Sequence, residues 1–185
     1  MNSIDEILKG CRKGKRGAQK ALYDMYSDDM YAVCCYYAGN RNEADDIFQD
    51  GFIRIFEKIN QYKGDGPLGA WMRRVFVNCA LEKFRKESRM TLYPEVNDRM
   101  LEQEFEETDA IVNEKALMGF VAELPPRYRM VFNLYAIEGY SHQEISGIME
   151  ISEGTSKSNL ARARKILQRK LIKNGFIRHK KVSSL

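Results

Sequence analysis

Apolar residues recur at three- and four-residue steps along most of the chain. No segment shows a two-residue alternation bounded by turn signals, so helices rather than strands are predicted throughout. Ala21, Leu22, Met25, Met30, Val33 and Cys34 form the first stripe, in a stretch without Pro or Gly from 18 to 38, and predict a helix over 15–38 that Gly39-Asn40 stops. Phe48, Phe52, Ile55, Phe56 and Ile59 form the second, over 42–60. Its first turn holds Glu43, Asp45 and Asp46, which suits the positive helix start. Gly51 inside this helix costs about 1 kcal/mol against Ala, and so predicts a close contact there. Three glycines and a proline in Tyr62–Gly69 predict a loop. A third helix, about 70–88, buries Trp71, Met72, Val75, Phe76, Cys79, Ala80 and Phe84.

The pattern lapses over 89–109 and returns at about 110–123 with Ile111, Ala116, Leu117, Phe120 and Val121. Leu124-Pro125-Pro126 breaks the chain, and Pro126 fits the first turn of a new helix in which Tyr128, Val131, Leu134 and Tyr135 share a side. Gly139 ends it as a left-handed cap. Ser141 and Glu144 have capping-box spacing and open a short helix that buries Ile145, Ile148 and Met149. After the turn Glu150-Ile151-Ser152, Ser152 caps a helix over 153–173. Leu160, Ala163, Ile166, Leu167 and Leu171 face inward there, and Lys157, Ser158, Ala161, Arg162 and Lys165 tend outward. A short capped helix, a tight turn and a long basic helix make a helix-turn-helix.

Charge adds what the pattern lacks. The 185 residues carry a formal net charge of +4, which by itself says little. Residues 154–185, however, contain ten Lys/Arg and no acid, and residues 91–114 contain eight acids and one base, Arg99. A third asymmetry lies in 71–89, with six bases and two acids. The basic segments suit a polyanion, most directly nucleic acid. At ~150 residues per domain the length gives one large domain or two small ones. The longest uncharged run is eleven residues, Met30–Asn40, short of the ~18–20 that cross a bilayer. The start Met-Asn-Ser-Ile-Asp-Glu is not that of a signal peptide, so a cytoplasmic chain that is not itself membrane-inserted is expected. Cys11, Cys34, Cys35 and Cys79 have no C-x-x-C spacing and only His142 and His179 could join them, so buried thiols are expected, with no metal and no cofactor. No phosphate loop or catalytic constellation appears, so neither an enzyme nor a small-molecule substrate is expected. An acidic cluster, Glu43, Asp45, Asp46 and Asp50, lacks the second cluster a metal site would need.

A helix entering a major groove about 12 Å wide needs small or polar leading residues. Ser156, Lys157, Ser158, Asn159 and Arg162 are of that kind, and Lys165 lies further along. Lysines and arginines beyond the tip meet phosphates and set affinity rather than sequence choice. The residues by themselves fit a DNA-binding protein such as a stand-alone helix-turn-helix regulator with a sensing or dimerising front domain.

Leu124–Phe132, Glu138–Ile145 and Gly154–Arg164 resemble the carboxy-terminal domain of extracytoplasmic-function sigma factors. Glu43–Phe52 resembles that family's core-polymerase-binding helix, and Trp71–Ala80 its promoter-melting helix. The resemblance covers about 15–175 in family order. It implies an all-α chain of two small helical domains: 1–88, of the sigma region 2 kind; an acidic linker, 89–110, along the nascent-RNA path; 111–178, a helix-turn-helix of the region 4 type; and a tail, 179–185. The implied partners are core RNA polymerase, promoter DNA and an anti-sigma factor. Asp45, Asp46, Gln49, Asp50 and Phe52 would then dock on the polymerase. Trp71 and Asn78, with loop 62–69, would capture an unstacked base of the −10 element, and Arg73, Arg74, Lys83 and Arg85 would hold its strand. Ser156, Lys157, Ser158, Asn159, Arg162 and Lys165 would read the −35 element. Core packing accounts for Trp71 equally well, whereas Asn78 sits less easily in a core. The chain departs from the family at Ser156, where an inner-face Val is frequent, and at Glu150, in a turn that often holds Gly. A non-Gly residue at positive φ costs about 1 kcal/mol or more, which predicts a slightly different turn.

Overall fold

The computed structural model describes residues 3–90 and 114–176. It divides into two compact units, Met1–Arg89 and Met90–Leu185. Among the described residues the regular structure is helical and no strand occurs. The segment 91–113, with nearly all of the acidic run, lies outside the described residues, as do 177–185 with the end of the basic tail.

The first unit holds four helices: α1 Ile4–Arg12, α2 Arg16–Tyr37, α3 Arg41–Lys58 and α4 Leu68–Met90, with a 3-10 turn at Ile59–Gln61. Helix α1 is not among the predicted elements, although its signals are present. Ser3 and Glu6 form a capping box, and Ile7, Leu8 and Cys11 are buried on one side. Asn40 caps α3 by accepting from the Glu43 amide at 2.9 Å, while the Glu43 carboxylate accepts from the Gly39 amide. The core gathers Leu22, Val33, Cys34 and Tyr37 of α2, Ile47, Phe52 and Ile55 of α3, and Met72 and Phe76 of α4. Met25, expected inside, is 54% exposed. It lies three residues past Leu22 and five before Met30, off the line that these two share on a 3.6-residue helix.

Gly51 explains itself at the α3–α4 contact. A Cβ on it would stand 2.1 Å from Cε1 of the fully buried Phe76. The predicted close contact is therefore an aromatic ring lying on the α3 backbone. The cysteines divide: Cys11, Cys34 and Cys79 are buried and Cys35 is exposed, all as free thiols. Cys35 lies about 100° further round α2 than Cys34, on the side away from buried Val33, and so leaves the core. Burial pushes the Cys34 thiol up to about 12 and that of Cys79 to about 11.

The second unit holds α5 Glu114–Ala122, α6 Pro126–Phe132, α7 His142–Met149 and α8 Glu153–Lys173. Val121, Leu124, Tyr128, Ala163 and Leu167 form its core, with Leu117, Phe120, Phe132 and Ile166 packed against them. Pro126 stands in the first turn of α6, and Gly139 takes φ 76. The buried Arg129 donates to the carbonyls of Ala122 (2.9 Å) and Leu124 (3.2 Å), closing the end of α5. Asn133–Ile137 continues α6 as a π-helical turn. The wider turn shifts the register, so Tyr135, expected on the buried side with Val131 and Leu134, is 36% exposed while both of those are fully buried.

Candidate nucleic-acid and polymerase interfaces

The helix-turn-helix is built by its caps. The Ser141 hydroxyl accepts from the Glu144 amide at 3.2 Å, and the Glu144 carboxylate accepts from the Ser141 amide at 2.8 Å. These bonds to the anion hold the Glu144 carboxyl below its usual range. Glu150 closes α7 at φ 55, ψ 43, a true left-handed residue. The turn thus keeps the left-handed geometry that glycine would favour and carries its strain, where a different turn was expected. Ser152 then caps α8 by accepting from the Thr155 amide at 3.0 Å.

On α8, Lys157, Ala161 and Arg164 are exposed, and Ser158, Arg162 and Lys165 are half-buried. Lys157 lies 3.7 Å from Glu153, one turn back. Two expected leading residues are not outward. Ser156 is fully buried and Asn159 is 5% exposed. Ser156 shares the inner stripe with Leu160, Ala163 and Leu167, and its hydroxyl is 2.9 Å from Nδ1 of His142. Steps of four, seven and eleven residues return to one face of a helix, so Ser156 goes where its apolar neighbours go.

In the first unit, Gln61, Tyr62, Lys63, Asp65, Pro67, Trp71 and Arg74 line an open cleft of about 390 Å³. Trp71 is half-buried, its ring 5.6 Å from that of Tyr62. The Tyr62 hydroxyl donates to the Gly66 carbonyl at 2.6 Å, and the Arg12 guanidinium donates to the Tyr62 carbonyl at 2.8 Å. The loop is thereby held from α1, with Gly64 and Gly66 at positive φ. Asn78 is exposed on α4, and Arg73 lies 6.0 Å over the Tyr36 ring. Arg85 is half-buried.

Expected polymerase contacts on α3 separate into three kinds. Gln49 and Asp50 are exposed, next to Ile53 at 56% exposure. Asp45 accepts from the Tyr31 hydroxyl at 2.7 Å, and Asp46 pairs with Lys83 at 2.7 Å. Two residues expected on different surfaces thus meet each other. Phe52, by contrast, is 5% exposed and packs among Tyr23, Phe48 and Phe76, with ring centroids 4.7, 5.1 and 5.4 Å away. It is core, which corrects its expected place on the docking face. Arg54 joins α3 to α4 through Glu82 at 2.6 Å and holds that carboxyl below its usual range. Among the described residues no group of three or more His, Cys, Asp or Glu could hold a metal. No helix among them is long and apolar enough to cross a membrane.

The family model for sigma-70 region 2 matches residues 22–90, and that for sigma-70 region 4 matches 114–167. The ECF RNA polymerase sigma factor SigW of Bacillus subtilis is 29% identical over 91% of this chain and 96% of its own. The chain belongs to the extracytoplasmic-function group of the sigma-70 family. SigM of the same organism is 29% identical over 80% of this chain and 91% of its own. A solved structure of RpoE with the anti-sigma factor NepR from Bartonella quintana covers 82% of this chain and 95% of its own, at 21% identity and a TM-score of 0.48.

A sigma factor directs promoter-specific transcription initiation by RNA polymerase. In this sigma factor the region 2 match takes in the acidic α3, the cleft and α4, and the region 4 match takes in most of α8. Ile53, Arg12 and Arg164 are not marked by the apolar stripes, and Tyr135 is assigned by them to the buried side although it is exposed. Ile53 had a readable signal, since it stands off the stripe of Phe52, Ile55 and Phe56. For Arg12 and Tyr135 the determining contact comes from a distant segment or from the π turn, which helical periodicity does not encode.

Proposed function

We propose that this sigma factor binds core RNA polymerase through the exposed part of α3, reads the −35 element with α8, and captures a −10 base at the Trp71 cleft. Gln49 and Asp50, flanking the open apolar Ile53, supply the docking contacts. Asp45 and Asp46 contribute by shaping that face, since each already holds an internal partner. Trp71 offers a half-buried wall against which a base can stack, and Arg74 at the cleft with Arg73 nearby offers positive charge to the strand. Asn78 faces solvent on the same helix and supplies amide donors and acceptors. Lys83 and Arg85 extend the positive surface along α4.

On α8, Lys157, Ser158, Arg162 and Lys165 make the duplex contacts. Ser156 and Asn159 act beneath them as packing for the helix. The front domain is assigned to 1–88, the linker to 89–110 and the rear domain to 111–178. The sigma factor supplies recognition and strand opening, and the polymerase does the bond chemistry. It works in the cytoplasm, and an anti-sigma factor is the partner expected to hold it inactive.

The observation that carries this reading is one chain with two different nucleic-acid features in two units: an aromatic-walled cleft with Arg74, and a helix-turn-helix with an open Lys157. A stand-alone regulator needs only the second. The test is transcription with purified core polymerase on native promoter fragments, with the transcript ends sequenced. Promoter-dependent transcripts that require the added protein are expected. Their absence, together with a duplex shift by the protein alone, would establish the regulator instead.

A further inference from the structure

Four side chains of the second unit form a ladder that the duplex contacts above do not use. At its base the buried Ser156 hydroxyl meets His142 Nδ1 at 2.9 Å. The His142 ring stacks on Tyr135, with centroids 4.7 Å apart and planes 23° from parallel. The Arg164 guanidinium lies over the Tyr135 ring, 5.7 Å from its centroid. Each rung comes from a different place in the chain: the first turn of α8, the start of α7, the π turn after α6, and the middle of α8.

The geometry brings Arg164 to a definite place. Arg164 stands eight residues after Ser156, about 12 Å along the helix. A long helical side chain leans back toward its own N-terminus, and the exposed Tyr135 ring meets it there. Exposed Arg164 lies one and two turns beyond Ala161 and Lys157, at the i, i+4, i+7 spacing that shares a face. A guanidinium resting over a ring face leaves N–H donors that can reach a planar or tetrahedral anion. An unheld arginine would lose much of its rotamer freedom on making the same contact.

We propose that Arg164 contacts a phosphate of duplex DNA and that Tyr135 is its positioning residue, itself fixed by His142 and Ser156. The inference rests on the reading of α8 as the duplex-binding helix. Its ligand is the backbone phosphate, which any sequence offers, so the promoter need not be known.

The test measures binding of the full chain to a labelled duplex of about 20 base pairs by fluorescence anisotropy, from about 50 to about 200 mM salt. Arg164→Ala is expected to weaken binding and to reduce the slope of log K against log salt by about 0.9, the loss of one phosphate contact. Tyr135→Ala is expected to weaken binding about two- to five-fold, as an exposed cation–π contact allows, whereas Tyr135→Phe keeps the ring and the wild-type affinity. In the Arg164→Ala background, Tyr135→Ala should cost nothing further. A merely structural Tyr135 would weaken binding equally in both backgrounds, and that result overturns the proposal, as does an unchanged affinity in Tyr135→Ala. Thermal melts of each variant separate misfolding from lost binding. Lys157→Ala distinguishes the levels. If it weakens binding while both Arg164→Ala and Tyr135→Ala do not, this inference fails and the reading of α8 stands. If the wild-type chain shows no salt-dependent binding, both fall.

Discussion

Gly51→Ala sets two rules against each other at one atom. In a helix interior Ala is favoured over Gly by about 1 kcal/mol. Here the added methyl would meet the Phe76 ring at 2.1, 2.4 and 2.7 Å, inside any tolerable contact. The ring has little room to retreat, because Phe76 is fully buried and lies 5.4 Å from the Phe52 ring and 6.1 Å from that of Phe48. Overpacking of this kind costs about 1–3 kcal/mol. A ring this close and this fixed puts the cost in the upper part of that range, about 2–3 kcal/mol, so with the propensity gain subtracted a net loss of about 1–2 kcal/mol is expected. For a unit of this size that lowers its melting temperature by roughly 4–16 °C. The assay is thermal unfolding of the full chain by circular dichroism, with Gly147→Ala as the control. A Cβ at Gly147, inside α7, meets nothing within 4 Å, so that variant should gain stability. Phe76→Leu in the Gly51→Ala background should recover part of the loss, since it withdraws the clashing ring. A Gly51→Ala protein that melts at or above the wild-type temperature would refute the reasoning: propensity would have won, and α3 and α4 would not be locked at this contact.

Glu150→Gly removes a left-handed non-glycine residue at φ 55 and should raise the melting temperature by the equivalent of about 1 kcal/mol; a lower one would show that the glutamate side chain matters more than its backbone. Arg129→Ala strips the donor from two carbonyls at the end of α5 and should cost about 3 kcal/mol in a denaturant titration, against near-neutrality if water replaces it. Acidification should destabilise the first unit: with Glu82 held below its usual range by Arg54, its contribution is present above the unfolded carboxylate value and is lost as pH falls through the lower folded one. Glu82→Gln should therefore flatten the acid side of a melting-temperature profile, and an unchanged profile would remove that pair from the account. Asp50→Lys reverses the charge of an exposed α3 residue and should abolish co-elution with core polymerase while leaving helicity intact; retained co-elution counts against the docking face.

Much of this architecture follows from local rules. Helices α2, α3, α4, α7 and α8 are written in apolar spacing, and their ends in Asn40, Ser141, Ser152 and Gly139, because a cap bond forms within a few residues of the cap. The same locality explains the sequence-level view of a basic α8 and an acidic α3. Helix α1 was legible too, in Ser3 and Glu6, but its single short stripe is easily passed over. The candidate sites were legible mainly as types of residue, because spacing says which face a residue takes only when its neighbours agree. Ser156 is polar in an otherwise apolar stripe, and the stripe prevailed by giving its hydroxyl to His142.

By itself the amino-acid sequence determined helices, caps, the helix-turn-helix and the separation of charge, all properties that act over a turn or two. The apolar stripe already put Phe52 inside; only the tertiary structure decided that Asp46 and Lys83 answer each other and that Arg12 holds the loop beside Trp71. It also decided the place of Arg164, through a π turn that carries Tyr135 out to meet it. The physical reason is common to these cases. A side chain's partner across the fold lies tens of residues away in the chain, and its selection depends on how whole helices pack.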